Sequence, residues 1–536
     1  MYDTVIENGR IVDGSGAPWF RGSVGIRDGQ IDRVERGQST TMTADEVLAV
    51  DGAVIAPGFI DSHSKSDAEP FRNGLLEPKI RQGITTEIVG HDGYSMAPFH
   101  RHDAFDRWSS ILGGLKRGID DDQWTWGSFG DYLEVLDSLP LGPNIGALVG
   151  HGTVRFSVMG GGDDAPTDEN LESMQSLVRD SIEEGAFGVS TGLVYTPQVH
   201  ATTDELRALT QPLADAGLPF VSHVRSQGRG VWDAIDELYR IGGAHDIQII
   251  HTHIQLSGPR QNGKADRVRS LMDAARERGI EVSANQHPYR AGSTKLSALL
   301  PPRLLTLSTD ELKSKLRDPA VRAEVAEDIR SWRLDDWENL AGLTGWDDVV
   351  VSSVSTAVNR DLEGVAIMDI ASCRDGDPVD VVCDLLLEES FEVEVLLHKL
   401  HEDDIATFLT DPRISVCTDG LFGDHPHPRT YGTYPRILEE FVRERNVLQL
   451  EEAVRKMTSL PAQTYGLEDR GLVKAGFVAD LVVFDPDTVR ARATYDDPTR
   501  YPVGITQVFV DGERVIADGG PTDARPGSVL RGKSEP

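Results

Sequence analysis

A few short stretches carry side chains that could do chemistry. In Asp61-Ser-His63-Ser-Lys65, an Asp, a His and a Lys alternate at the end of an apolar run. Residues i, i+2 and i+4 of a strand point the same way, so these three are expected on one face. His91-Asp92-Gly93 ends the run Ile84-Thr-Thr-Glu-Ile-Val. His223 follows Phe220-Val-Ser, His251-Thr-His253 follows Ile249-Ile, and Asp419-Gly420 follows Ser415-Val-Cys-Thr. Each has a plainer reading alone: a solvated strand end, an Asp-Gly turn at Asp92, a helix N-cap at Asp419, a satisfied core histidine. Histidines closing successive strands, after His63 and before an Asp, form instead a metal-ligand pattern, since imidazole nitrogen and carboxylate oxygen both bind zinc.

Strand ends need strands. Short apolar runs are expected as strands at Phe59–Ser62, Thr85–Val89, Ile145–Val149, Gly188–Ser190, Phe220–Ser222, Ile247–Ile250, Glu281–Ala284 and Ile414–Cys417. Amphipathic stretches at Ser173–Glu184, Asp204–Ala216, Gly230–Ile241 and Lys264–Arg278 separate several of them. Eight strands alternating with helices predict an α/β fold, a (β/α)₈ TIM-like barrel over residues 56–469, with catalytic groups at the C-terminal strand ends. Residues 296–390 are too long for a βα loop. They carry helical patterns of their own at Asp310–Arg317 and Ala320–Leu334, so an inserted subdomain is expected there. Residues 1–55 read as short strands joined by Asn8-Gly9, Asp13-Gly14 and Asp28-Gly29, which are hairpin signals. Ala479–Phe484 and Ile505–Gly512 repeat that style, so residues 1–55 and 470–536 are expected to form one small β-sandwich domain.

The stretch around His63 resembles the metal signature of the amidohydrolase superfamily, and more closely the N-acyl-D-amino-acid deacylase (D-aminoacylase) family. Further matches run through Gly150-His151-Gly152-Thr153, Gly188-Val-Ser190-Thr191-Gly192, Pro288-Tyr289-Arg-Ala-Gly-Ser293-Thr294 and His427-Pro428-Arg429. The resemblance implies a zinc-dependent hydrolase of an amide C–N bond, with His223, His251, Asp92 and His63 as metal residues. Asp419 would be the general base and then the acid to the departing amine. Arg429, Tyr289, Ser293, His253 and Lys65 would face the substrate. This chain departs from the family at three places. Lys65 stands where the family has the second His of His-x-His, Asp92 where it has a bridging Cys, and His253 where it has a Lys that holds the substrate carboxylate. An ammonium offers no lone pair and repels a cation, unless it is deprotonated or carbamylated, so one zinc per chain is expected. His253 would be a weaker, pH-dependent anion partner, which leaves open a neutral, cyclic or larger amide.

Composition narrows the partners. The 536 residues carry a net charge of −34, which excludes a nucleic-acid partner, since phosphate binding needs a basic surface. Such acidity suits a salt-rich cytoplasm, or simple solubility. Three cysteines, Cys373, Cys383 and Cys417, make no disulfide framework and point to a reducing compartment. No apolar run would span a membrane and the N-terminus lacks a signal-peptide pattern, so the expectation is a cytoplasmic protein acting on a small-molecule amide, its oligomeric state open. Two rival readings stay in view. One is a degenerate, non-catalytic relative that keeps the barrel as a binding module. The other is a metal-independent lyase or isomerase working through Lys65 and Asp419.

Overall fold

The computed structural model describes residues 1–99, 105–116, 119–120, 122–332 and 337–532. Its centre is a ring of parallel strands: β1 (Phe59–Asp61), β2 (Ile84–Val89), β3 (Asn144–Ala147, resumed at Val149–Gly150), β4 (Val189–Gly192), β5 (Phe220–His223), β6 (Ile249–His251), β7 (Val282–Gln286) and β8 (Ile414–Val416). Neighbours pair in this order from β1 to β8. At the last seam Ser62 Oγ donates to Val416 O at 3.2 Å, and the Asp419 N–H to His63 O at 2.9 Å. This is the expected α/β, TIM-like barrel.

The strands are short and buried along their whole length, as parallel strands covered on both faces must be. Strand parity divides their side chains. Val221 of β5 and Ile250 of β6 meet Ile88 and Leu148 across the ring, in one buried cluster with Phe187 and Tyr465. Phe220 and Ile249, one residue earlier, belong instead to the large core packed against the helices. Those helices fall near their expected spans, at Asp168–Glu183, Thr203–Ala216, Val231–His245 and Ala265–Glu277. Thr167 and Thr202 cap the first two through their side chains, and Gly217, at φ 66°, ends the second in the left-handed conformation that glycine tolerates.

Both chain ends contribute to one nine-stranded sheet. In it Val54–Pro57 pairs with Tyr2–Ile11 on one side and with Leu481–Phe484 on the other. Residues 533–536 of this part lie outside the described residues. The long segment after β7 has its own apolar core and a three-stranded antiparallel sheet, Gly292–Lys295, Glu394–Leu397 and Val349–Ser353. Its expected helices are Thr309–Leu316 and Pro319–Ser331; Leu334 falls outside the described residues. The ends of this small sheet bring Ser293, Thr294, Leu397 and Lys399 to the mouth of the barrel.

Candidate active site

The carboxylates of Asp92 and Asp419 face each other across Lys65 at the C-terminal end of the barrel. Lys65 Nζ bonds to Asp92 and lies 3.3 Å from Asp419 Oδ1. His63 Nε2 is 3.7 Å from Asp92 Oδ1 and 3.4 Å from Asp419 Oδ1. His253 Nε2 approaches Asp92 Oδ1 to 3.3 Å, and His223 Nδ1 approaches it to 3.8 Å from another side. The His223 and His253 rings meet edge to face, with centroids 4.5 Å apart. All of these residues except Lys65 are buried.

The two histidines after Ile249 take places that spacing leaves open. His251 was the expected second histidine ligand and His253 the substrate contact. Among the described residues, the donors lying within 4.8 Å of one another are those of His63, Asp92 and His253. His251, like His223, falls outside that group: it shares the face of Ile249, whereas His223 shares that of Val221, and both ring nitrogens of His251 are buried without a hydrogen-bond partner. Beyond β6 the alternation stops. Thr252 N–H crosses to Ser222 O at 3.0 Å, and His253, at φ 29°, bends inward with its N–H on Asn285 Oδ1. Asp61, expected on one face with His63 and Lys65, gives its carboxylate to the seam below.

That seam holds a network that no residue pattern announces. Lys79 Nζ, wholly buried, donates to Asp61 Oδ2 at 2.8 Å, Ser64 Oγ at 2.7 Å and Thr418 Oγ1 at 3.1 Å, and lies 3.2 Å from Glu87 Oε2. Thr418 N–H returns to Asp61 Oδ1 at 2.9 Å. The residues before and after His63 are thereby fixed to those before Asp419. The Asp92 loop is held from the other side: Gln198 Nε2 donates to Asp92 O at 3.0 Å, and Gly93 N–H to Ser190 Oγ at 2.9 Å.

Burial alone would push the carboxyls up. For Asp92 it is overcome by Lys65, His63 and His253, and for Asp419 by Arg429 and Lys65, so both stay well below the usual carboxylate range. Burial works against the Lys65 ammonium too, but Asp419 and Asp92 raise it above an ordinary lysine. Burial lowers His63, and lowers His223 much further with His253 adding to the effect. Neutral imidazoles beside ionised carboxylates are what a cation needs.

The donors fit a zinc ion. Neither ring nitrogen of His63 has a hydrogen-bond partner, nor has His223 Nδ1, although all are buried. Buried polar atoms without partners are rare in folded proteins, and nitrogen–oxygen donor sets of this kind suit zinc. Lys65 Nζ sits between Asp92 and Asp419.

The remaining expected residues divide. Arg429 Nη1 pairs with Asp419 Oδ2 at 2.7 Å, and Ser293 lines the cavity next to Asp419. Tyr289 does not line that cavity; its hydroxyl reaches Pro428 O at 3.4 Å, behind Arg429. Gln227, Gln255, Glu338 and Lys399 do line it and were not anticipated. His91, stacked on His63 at 3.9 Å, sits in a motif that had drawn attention only through Asp92.

Known proteins resemble this chain along its whole length. The profile described as "Amidohydrolase family" matches residues 46–516. A D-aminoacylase of Alcaligenes xylosoxydans xylosoxydans is 32% identical, the match covering 99% of this chain and 97% of that protein. The crystal structure of an N-acyl-D-glutamate deacylase from Bordetella bronchiseptica, complexed with zinc and a phosphonate mimic of the reaction's tetrahedral intermediate, superposes with a TM-score of 0.84. It is 32% identical and the match covers 99% of both chains. A D-aminoacylase structure concerned with one-metal activation and second-metal attenuation of a binuclear centre superposes at 0.83, with 31% identity and coverage of 99% and 100%.

Proposed function

Because this chain belongs to the amidohydrolase family and is a zinc-dependent hydrolase of amide C–N bonds, we propose that its substrates are N-acyl-D-amino acids, with Asp92, His223 and His253 holding one zinc ion. His63 stands beside that set as a further donor. Zinc bound there supplies a Lewis acid for the carbonyl oxygen and makes water acidic enough to attack at neutral pH. Asp419 is the proton carrier. Arg429 occupies its Oδ2, while Oδ1 has no hydrogen-bond partner and faces the donor cluster. Ionised at neutral pH, it takes the proton of the attacking water and delivers it to the departing amine nitrogen. Lys65 neutralises the pair of carboxylates and keeps them from repelling each other. Held charged in this way, it has no lone pair for a Schiff base, which weighs against a metal-independent lyase or isomerase.

The observation that carries the reading is the convergence of partnerless imidazole nitrogens with two ionised carboxylates at the barrel's C-terminal mouth. The test uses the full chain, first stripped by a chelator and then reloaded with zinc. We expect one zinc per chain by elemental analysis, with amine release from N-acetyl-D-amino acids but not from their L counterparts, lost on stripping and regained on reloading. A zinc-loaded protein that releases amine from no amide would leave the barrel as a binding module. Two tightly held zinc ions would refute the role of Lys65.

A further inference from the structure

The cavity next to Asp419 contains a cation that, among the described residues, has no carboxylate in ion-pair contact. Lys65 already faces Asp92 and Asp419, and Arg429 faces Asp419. Lys399 also lines this cavity, just beyond the strand Glu394–Leu397, and its Nζ has one partner, the neutral Gln227 Oε1 at 3.3 Å. Among the described residues, no carboxylate lies within ion-pair distance of it. The acid sharing its wall is committed elsewhere. Glu338 Oε1 accepts the Gln227 and Gly228 N–H groups at 2.9 and 2.8 Å, and its Oε2 accepts Ser226 Oγ at 2.7 Å.

The lysine is also held in place. Its own N–H bonds to Leu397 O at 3.0 Å, its carbonyl accepts Gly258 N–H at 3.0 Å, and Leu400 N–H reaches Arg290 O at 3.0 Å. With its backbone held, an ammonium in a poorly solvated wall costs free energy until an anion meets it. Burial brings its pKa down to about 8, with Glu338 opposing that fall and Arg429 adding to it. The same wall offers the hydroxyls of Ser293 and Thr294, which donate readily to carboxylate oxygens.

We propose that Lys399 recognises the carboxylate of the substrate, so that the inserted segment rather than the barrel selects an anionic amide. In an N-acyl-amino acid that carboxylate lies one carbon from the scissile nitrogen, so a cation on the cavity wall beside Asp419 is placed to receive it while the amide faces the metal donors. Lys399 would be a specificity residue: it holds the substrate in ground and transition state alike and moves no proton.

This rests on the hydrolase reading above, and the experiment separates the two. Zinc-loaded wild type, Lys399→Gln and Lys399→Arg would be assayed on N-acetyl-D-amino acids and on the matched, uncharged C-terminal amides. For Lys399→Gln we expect KM for the acids to rise about 10- to 100-fold, the range of a lost charge-assisted hydrogen bond, with kcat changed less than about threefold. KM for the neutral amides should not move, and Lys399→Arg should recover part of the preference for acids. A Lys399→Gln protein that keeps the wild-type ratio of acid to amide would overturn the assignment. So would equal losses on both substrates, which would mark Lys399 as structural. Should Lys399→Gln fail to fold, Lys399→Met takes its place: a raised KM confined to the acids supports the assignment, and unchanged kinetics on every substrate refute it. Wild type inactive on acids and amides alike would fell the hydrolase reading itself, and the role of Lys399 with it.

Discussion

Asp92, His253 and Asp419 share a backbone property as well as a place. Their φ angles are 55°, 29° and 48°, in the left-handed region where side chains other than glycine are uncommon. Strain of this kind persists where surrounding bonds over-determine it, and it gathers at functional sites. Here the fixing bonds are Gln198 to Asp92 O, His253 N–H to Asn285 and Asp419 N–H to His63 O. The geometry gives a clean mutational test, because asparagine tolerates the same conformation as aspartate. Asp419→Asn should keep this backbone, but it leaves the buried Arg429 without its carboxylate and should melt below wild type while remaining folded. Its turnover should fall about 10²- to 10⁴-fold, the usual worth of a positioned acid–base group. Steady-state kinetics beside a thermal melt would check this, and near-normal turnover would remove Asp419 from the mechanism.

At the level of elements, the barrel was legible and the inward turn of His253 was not. Apolar runs broken by amphipathic helices named every barrel strand to within a few residues, because parallel strands are buried on both faces and their composition says so. Spacing could not choose between His251 and His253, since alternation places i and i+2 on one side. The choice depends on where β6 stops, and that is set by a cross-strand bond from Thr252 and a turn at His253. The inward face of β6 was written in the sequence only as Ile250, whose contacts across the ring are long-range. Lys399, Gln227 and Glu338 were unreadable for a related reason: the inserted segment has no periodicity that refers to the barrel it overhangs. The proposed assignment predicts that His253→Ala loses zinc affinity by more than the roughly 10- to 100-fold expected of an outer-shell partner. His251→Ala should keep its zinc and lose only stability. Zinc titration with a chelating indicator distinguishes them; equal retention of zinc by both variants would put the ion elsewhere.

For the whole molecule, the buried network of Lys79 matters most. It joins Asp61 at the end of β1, Glu87 in β2 and Thr418 just after β8, so it spans the seam where the barrel closes. Lys79→Met would leave two buried carboxylates without their cation, and breaking a buried ion pair from one side costs about 3–5 kcal/mol. Denaturant unfolding should show that loss, and a variant as stable as wild type would mean that water reaches the seam. There is a consequence for biosynthesis. Asp61 and Thr418 are 357 residues apart in the chain, so at about 5–20 residues per second the ribosome delivers the second roughly 20–70 s after the first. The nascent barrel must wait that long with its first strands unsealed. Asp92, His223 and His253 all emerge before Asp419, so the proposed metal donors are complete while the proposed base has yet to be translated.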